Sequence, residues 1–268
     1  NLENVVLPND LKEIHNNTFE YCTKLKTIKI PSSITAIGNA TFANCVNLDS
    51  VHLPSSVNLI GSYAFRNCTN LKAINLESVQ HIDKYAFEQC KNLEKIILSN
   101  AREIREYAFS ECTKLKTVEI PNTIDTIRNY VFYSCSGIEK LSIGNNVKSI
   151  GNYAFYKCMK LDSLEFPSAT TTIGIAAFEK CTNLSSITFG ENLLTISDYA
   201  FNNCKKLKSI AFKSIYPPKV FKNTWKNSSK DLVISLPLGS DENYVSFLGI
   251  EKMIPEIKKE IIATPIVS

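Results

Sequence analysis

Nine cysteines recur along this chain at intervals of 22 or 23 residues: Cys22, Cys45, Cys68, Cys90, Cys112, Cys135, Cys158, Cys181 and Cys204. Thiols so placed could pair as disulfides or hold zinc, and the pattern argues against both. The number is odd, each interval holds one cysteine, and side chains stacked in one direction have poor geometry for an S–S bond. No CxxC or CxxH pair offers a zinc site. The expectation is a ladder of free, inward-pointing thiols that pack as small hydrophobes.

Other reactive residue types are scattered. The three histidines, His15, His52 and His81, fall at different points of the interval, so they do not converge on one metal. The chain has no glycine-rich phosphate loop, no GxSxG and no HExxH. Its many serines and threonines lack a neighbouring histidine to activate them. The reading is a non-enzymatic protein with no catalytic residues, no metal and no cofactor.

The element that positions the cysteines is a repeat, whose period is set by five columns. Phenylalanine stands three residues before every cysteine, from Phe19 to Phe201. An aliphatic residue stands three after it, as in Leu25 or Ile138, and two more apolar columns follow, as in Ile28 and Ile30. Phe, Cys and Leu at i, i+3 and i+6 share one face of a helical turn. The last two columns are two apart, which is strand spacing. Proline often ends that strand, as at Pro31 and Pro121. A second apolar pair follows, such as Ile34 and Ile37, and Gly38, Gly61, Gly151 and Gly174 after such pairs are expected to supply a tight turn. Each 22- or 23-residue coil therefore reads as one short parallel strand, a second extended segment and one short helical turn. Such a unit buries its apolar face only by stacking on copies of itself, giving an α/β repeat solenoid.

Composition bounds the partners. Thirty basic and 26 acidic residues give a net charge of +4. They are interleaved rather than clustered, which speaks against a nucleic-acid partner. No apolar run is long enough for a membrane helix, and no signal peptide is present, so no membrane insertion is expected in this segment.

The unit CxxLxxIxIPxxIxxIGxYAFxxC resembles the BspA-type, or treponemal-type, leucine-rich repeat. Tyr153, Ala154 and Phe155 with Cys158, Leu161, Leu164 and Phe166 match it closely. The tyrosine recurs at Tyr63, Tyr85, Tyr107, Tyr130 and Tyr199 and gives way to Asn17, Ala40 and Ala176 elsewhere. The resemblance covers residues 1–212, and Leu232 to Phe247 resembles the strand, Pro-x-Gly-Ser turn and short helix that close bacterial members. It implies a leucine-rich-repeat solenoid, on the cell surface or secreted, from a host-associated bacterium or, less often, a parasitic protist. The implied role is adhesion or other protein binding without catalysis.

Two regions are expected: a solenoid over 1–212 that starts mid-repeat without an N-terminal cap, and a C-terminal capping segment over 213–268. Residues flanking the inward strand column would face the concave side. The candidate binding residues there are Lys29, His52, Asn75, Lys95, Ile97, Glu119, Lys140 and Glu165, running from basic to acidic. None is a Trp, Tyr or Arg, the types that dominate binding hot spots. The tyrosine column is expected to pack ring on ring along the stack with wet hydroxyls, and Tyr133 and Tyr156 to be exposed. Trp225 is expected to anchor the cap rather than hold a sugar. The expected partner is a protein, such as host extracellular matrix or another cell-surface protein, with a glycan as an alternative and the chain itself a monomer. Two further readings remain: a structural spacer without its own ligand, and a polysaccharide-processing parallel β-helix, against which the helical turn and the separated acids argue.

Overall fold

A computed structural model describes residues 2–229, 232–244 and 258–259. The chain winds into stacked coils, numbered here by their cysteines from coil 1 (Cys22) to coil 9 (Cys204), with a tenth built around Trp225. The first strand column holds Asn4–Val5, Thr27–Lys29, Ser50–His52 and Ala73–Ile74 in coils 1–4. It continues in Thr117–Glu119, Lys140–Ser142, Ser163–Glu165, Ser186–Phe189 and Ser209–Phe212 in coils 6–10. All ladder pairs are parallel and in register with the repeat, as in Thr27 opposite Ser50 and Ile28 opposite Val51. A second column runs from Ala36–Ile37 to Lys219–Val220. Between the columns lies one continuous core, made of the five apolar columns and the second-segment aliphatics.

The expected helical turn is absent, and the reason lies in the backbone. Each of coils 1–9 holds two non-glycine residues with positive φ, one two residues before the phenylalanine and one just before the cysteine, for example Tyr63 (φ 61°) and Asn67 (φ 58°). A left-handed residue every fourth position cannot propagate a right-handed helix. It turns alternate amides out of the coil instead. The amides of Tyr63, Phe65 and Asn67 donate to Lys84, Ala86 and Glu88 of the next coil, at 2.7–3.0 Å. Those of Ala64, Arg66 and Cys68 close tight turns inside their own coil, at 3.0–3.2 Å. The FxxCxxL segment is thus a third inter-coil hydrogen-bonded ladder, and the solenoid is almost wholly strand and turn rather than α/β. Among the described residues the one helix is Asp241–Tyr244.

The thiols occupy a defined slot. Each from Cys45 to Cys204 is fully buried and donates through Sγ to the carbonyl of the phenylalanine one coil earlier, at 3.0–3.6 Å. Cys22, in the first coil, is half-buried, and all nine are free. Phenylalanine rings stack from Phe19 to Phe201, and Trp225 continues the column, with centroids 4.8–5.5 Å apart.

Three of the glycines expected at tight turns do open them, the carbonyls of Gly61, Gly151 and Gly174 accepting from the amides of Ala64, Ala154 and Ala177 at 3.2–3.4 Å, but conformational freedom is not the reason for glycine there. None of Gly38, Gly61, Gly151 and Gly174 has a positive φ. A Cβ on Gly151 would stand 2.6 Å from the Arg128 carbonyl carbon, so the hydrogen atom there permits close stacking of coils.

Beyond residue 212 the ladders continue. Lys219–Val220 pairs with Thr195–Ile196, and Val233–Ser235 pairs with Ser209–Ala211. The Pro237–Gly239 turn and the Asp241–Tyr244 helix follow, and buried Tyr244 donates its hydroxyl to the Ser214 carbonyl at 3.0 Å. Apart from Lys258–Lys259, the expected cap past residue 244 lies outside the described residues.

Candidate functional site

Coils 4 and 5 have 22 residues where their neighbours have 23, and the missing residue is in the turn after the first strand. Leu76 to Val79 and Leu98 to Ala101 span three positions, against four from Leu53 to Val57 or Ile120 to Ile124. A turn one residue shorter reaches less far, and both ladders register it. Coil 5 contributes only a bridge at Lys95 to the first column, leaving Ile97 outside any strand. The second column breaks between Glu103–Ile104 and Thr126–Ile127. There Arg128 spans the gap to Glu103 at 2.8 Å.

On the strand face this mismatch opens a groove of about 560 Å³ across coils 5, 6 and 7. Lys95 and Ile97 come from coil 5, Thr117 and Glu119 from coil 6, and Ser142 and Asn145 from coil 7. Ser99, Pro121 and Gly144, in register at the turns that follow the strands of coils 5, 6 and 7, also line it. Gly144 is held there by space, since a Cβ would meet the Pro121 carbonyl oxygen at 2.6 Å. A second hollow of about 460 Å³ adjoins it through Ser142, Ile143 and Asn145, and holds Glu165 and Lys213.

The eight candidate residues therefore fare differently. Lys95, Ile97 and Glu119 meet in the first groove, and Glu165 lines the second. Lys140 is exposed on the same face but lines neither hollow. Lys29 and His52 are exposed near the other end of the face. Asn75 is spent on the chain itself: its amide accepts from the Leu53 N–H at 2.9 Å and donates to the Leu53 carbonyl at 2.8 Å. That side chain stands in for backbone pairing beside a short coil. Glu165 is bonded to Lys213 of coil 10 at 2.9 Å.

Ion pairs elsewhere collect around the break in the second column, where Glu103 meets Arg105 and Arg128 with His81 at 3.8 Å. Among the described residues Lys95 and Glu119 have no ion-pair partner. The hydroxyls of Ser99, Thr117 and Ser142 also make no hydrogen bond within the described chain, whereas Ser56, Ser78 and Thr170 donate theirs to the preceding coil. Those bonds are 2.6–2.9 Å.

The aromatic side of the solenoid is built differently. Tyr63, Tyr85, Tyr107, Tyr130 and Tyr153 stack with centroids 4.5–5.0 Å apart. Desolvation raises the hydroxyl pKa of Tyr85, Tyr107 and Tyr153. Tyr133 and Tyr156, expected to be exposed, are half-buried, because they stack on each other at 4.9 Å and pack against Tyr130 and Tyr153. The Lys180 ammonium donates to the Tyr156 hydroxyl at 2.8 Å, which raises the lysine's pKa. Trp225 is 5% exposed and lies flat on Phe201, leaving no ring face for a sugar. Desolvation pushes the Cys45 thiol up to about 12, and the other buried thiols with a resolved shift also rise, which keeps them protonated and unreactive.

Sequence reasoning missed Pro121, Asn145 and Lys213. The change of interval from 22 to 23 was the available signal for the first two. For Lys213, 48 residues from Glu165, no signal existed.

The family model of the BspA type leucine rich repeat region, in six copies, matches residues 1–116 and 102–229. A leucine-rich repeat protein from Bacteroides ovatus is 27% identical, with a TM-score of 0.61 over 84% of this chain and 70% of that one. A leucine rich cell surface protein from Faecalibacterium prausnitzii is 22% identical, with a TM-score of 0.60 over 79% of this chain and 81% of that one. The pneumococcal vaccine antigen PcpA is 18% identical, with a TM-score of 0.55 over 91% of this chain and 69% of that one. No curated protein matches the sequence. Loss of the helical turn removes one argument against a β-helix, but the family match and the shared fold are those of leucine-rich repeats.

Proposed function

Because this chain belongs to the BspA-type leucine rich repeat family, we propose that it is a non-enzymatic binding module, surface-displayed or secreted by a host-associated microbe, that adheres to a protein through its strand face. The observation that carries this reading is the groove of coils 5–7, whose charges and hydroxyls are left free while most ion pairs gather on the other column. A Faecalibacterium relative is described as a cell surface protein, which supports the location. No described helix is long and apolar enough to cross a membrane. The partner class that fits is a host extracellular-matrix or cell-surface protein, with glycans as the alternative.

The test is binding of the purified chain to a panel of matrix proteins, host-cell surfaces and glycans, beside the double variant Glu119→Lys, Glu165→Lys. The expected result is a partner whose binding falls at least tenfold in the variant. Both residues are exposed, and a surface ion pair such as Glu165–Lys213 contributes only about 0–1 kcal/mol, so the fold should survive. Undiminished binding would move the site off this face. Silence across the panel would favour a spacer, a reading that the unbroken phenylalanine stack along the coils supports, since it makes the solenoid stiff.

A further inference from the structure

We propose that the groove of coils 5–7 takes a single extended peptide segment with an acidic and a basic residue on either side of an apolar one. This rests on the strand-face binding reading and narrows it to one site and one kind of ligand.

Shape is the first argument. The ladder of this face is interrupted at coil 5, where only the Lys95 bridge joins its neighbours, and the groove lies at that interruption, lined by the short turn at Ser99 and by Pro121. A volume of about 560 Å³ lies within the range of pockets that enclose small ligands, roughly 300–1,000 Å³. A folded partner would instead need a face of about 800 Å² on each side. Length agrees with a peptide. Three coils at about 4.8 Å spacing span about 10 Å, and an extended chain advances about 3.3 Å per residue, so three residues cross the groove.

Chemistry sets the order of side chains. Lys95 offers an ammonium and Glu119 a carboxylate, neither with an ion-pair partner among the described residues, and each is complementary to one peptide charge. Ile97, 37% exposed, lies two residues along the chain from Lys95 and, in the Lys95–Thr117 register, beside Glu119 of the next coil, so it presents an aliphatic surface adjacent to both charges. The free hydroxyls of Thr117 and Ser142 and the Asn145 side chain can serve the peptide backbone, which an extended chain leaves unpaired along both edges.

The probes are labelled nonapeptides of glycine and serine with a central Asp-Leu-Lys, Lys-Leu-Asp, Asp-Leu-Asp, Lys-Leu-Lys or Ser-Leu-Ser, titrated by fluorescence polarisation at low salt. One mixed-charge order should bind at least tenfold tighter than Ser-Leu-Ser. Lys95→Glu should abolish that preference and favour Lys-Leu-Lys, while Glu119→Lys should favour Asp-Leu-Asp. Lys29→Glu, on the same face but outside the groove, should change nothing. Mixed-charge peptides that bind no tighter than Ser-Leu-Ser overturn the proposal. So does a preference that ignores the charge reversals, or that Lys29→Glu weakens equally. A panel partner lost in Glu119→Lys, Glu165→Lys while no peptide binds would leave the strand face standing and sink the peptide. Peptides that bind while the panel is silent would support the groove and sink the adhesion reading.

Discussion

The carbonyl of Phe87 accepts two hydrogen bonds, from the Cys90 amide of its own coil at 3.1 Å and from the Cys112 thiol of the next at 3.3 Å. Cysteine suits this slot because it is small, apolar and still a weak donor. Alanine would leave the carbonyl with one bond, and a larger aliphatic would overpack. The ring beside the slot carries more of the stability. Phe109 is fully buried, 5.2 Å from Phe87 and 5.5 Å from Phe132. Phe109→Ala should cost about 3–5 kcal/mol in urea unfolding, as core phenylalanine truncations do. A loss below about 1 kcal/mol would mean that the ring stack does not hold the coils.

At the scale of one element, the turn that carries Phe and Cys is defined by its left-handed residues. Gln89, just before Cys90, has φ 61° and sends its amide to Ser110 of the next coil at 2.8 Å. A β-branched residue resists that conformation, so Gln89→Val should cost about 1–2 kcal/mol. Gln89→Gly relieves the same strain and should be neutral or mildly stabilising. In a helix the order would reverse, because glycine is the poorer helix former. Thermal melts of the two variants therefore separate the observed turn from the helical one that the i, i+3, i+6 spacing suggests. Valine proving the more stable of the pair would rule out the turn.

Over the whole molecule the buried thiols couple stability to pH. Burial raises the pKa of seven of them, Cys45 to about 12 from an ordinary 9.0. A folded thiol keeps its proton where an unfolded one loses it, so the native state binds more protons above the unfolded pKa and stability falls as pH rises. The contribution is complete below about pH 8.5 and declines from there through the raised values. Urea midpoints should hold between pH 7 and 8 and drop steeply between 8.5 and 10. A flat profile to pH 10 would show that the thiols titrate freely. Replacing a central thiol, as in Cys112→Ala, should reduce the slope.

The sequence by itself determined the stack. Five apolar columns repeated nine times leave one way to bury Phe, Cys and Leu, and the family resemblance, the inward thiols and the anchoring of Trp225 were all legible there. Hydrophobic spacing reports which side chains face inward but not which amides leave the coil, so it could not tell a helical turn from a pair of left-handed turns. The left-handed position before the phenylalanine is the tyrosine column itself, and tyrosine is no usual left-handed residue, while the position before the cysteine varies from Asn67 to Glu111 and Lys157, so neither column announced a left-handed turn. Only the tertiary structure decided that Asn75 is consumed by its own chain, that Glu165 reaches Lys213 two coils away, and that Lys95, Ile97 and Glu119 share a hollow. The physical reason is the same in each case. Those contacts run between coils, and their distances are set by how far each turn reaches, which a one-residue shortening changes and a residue pattern does not record.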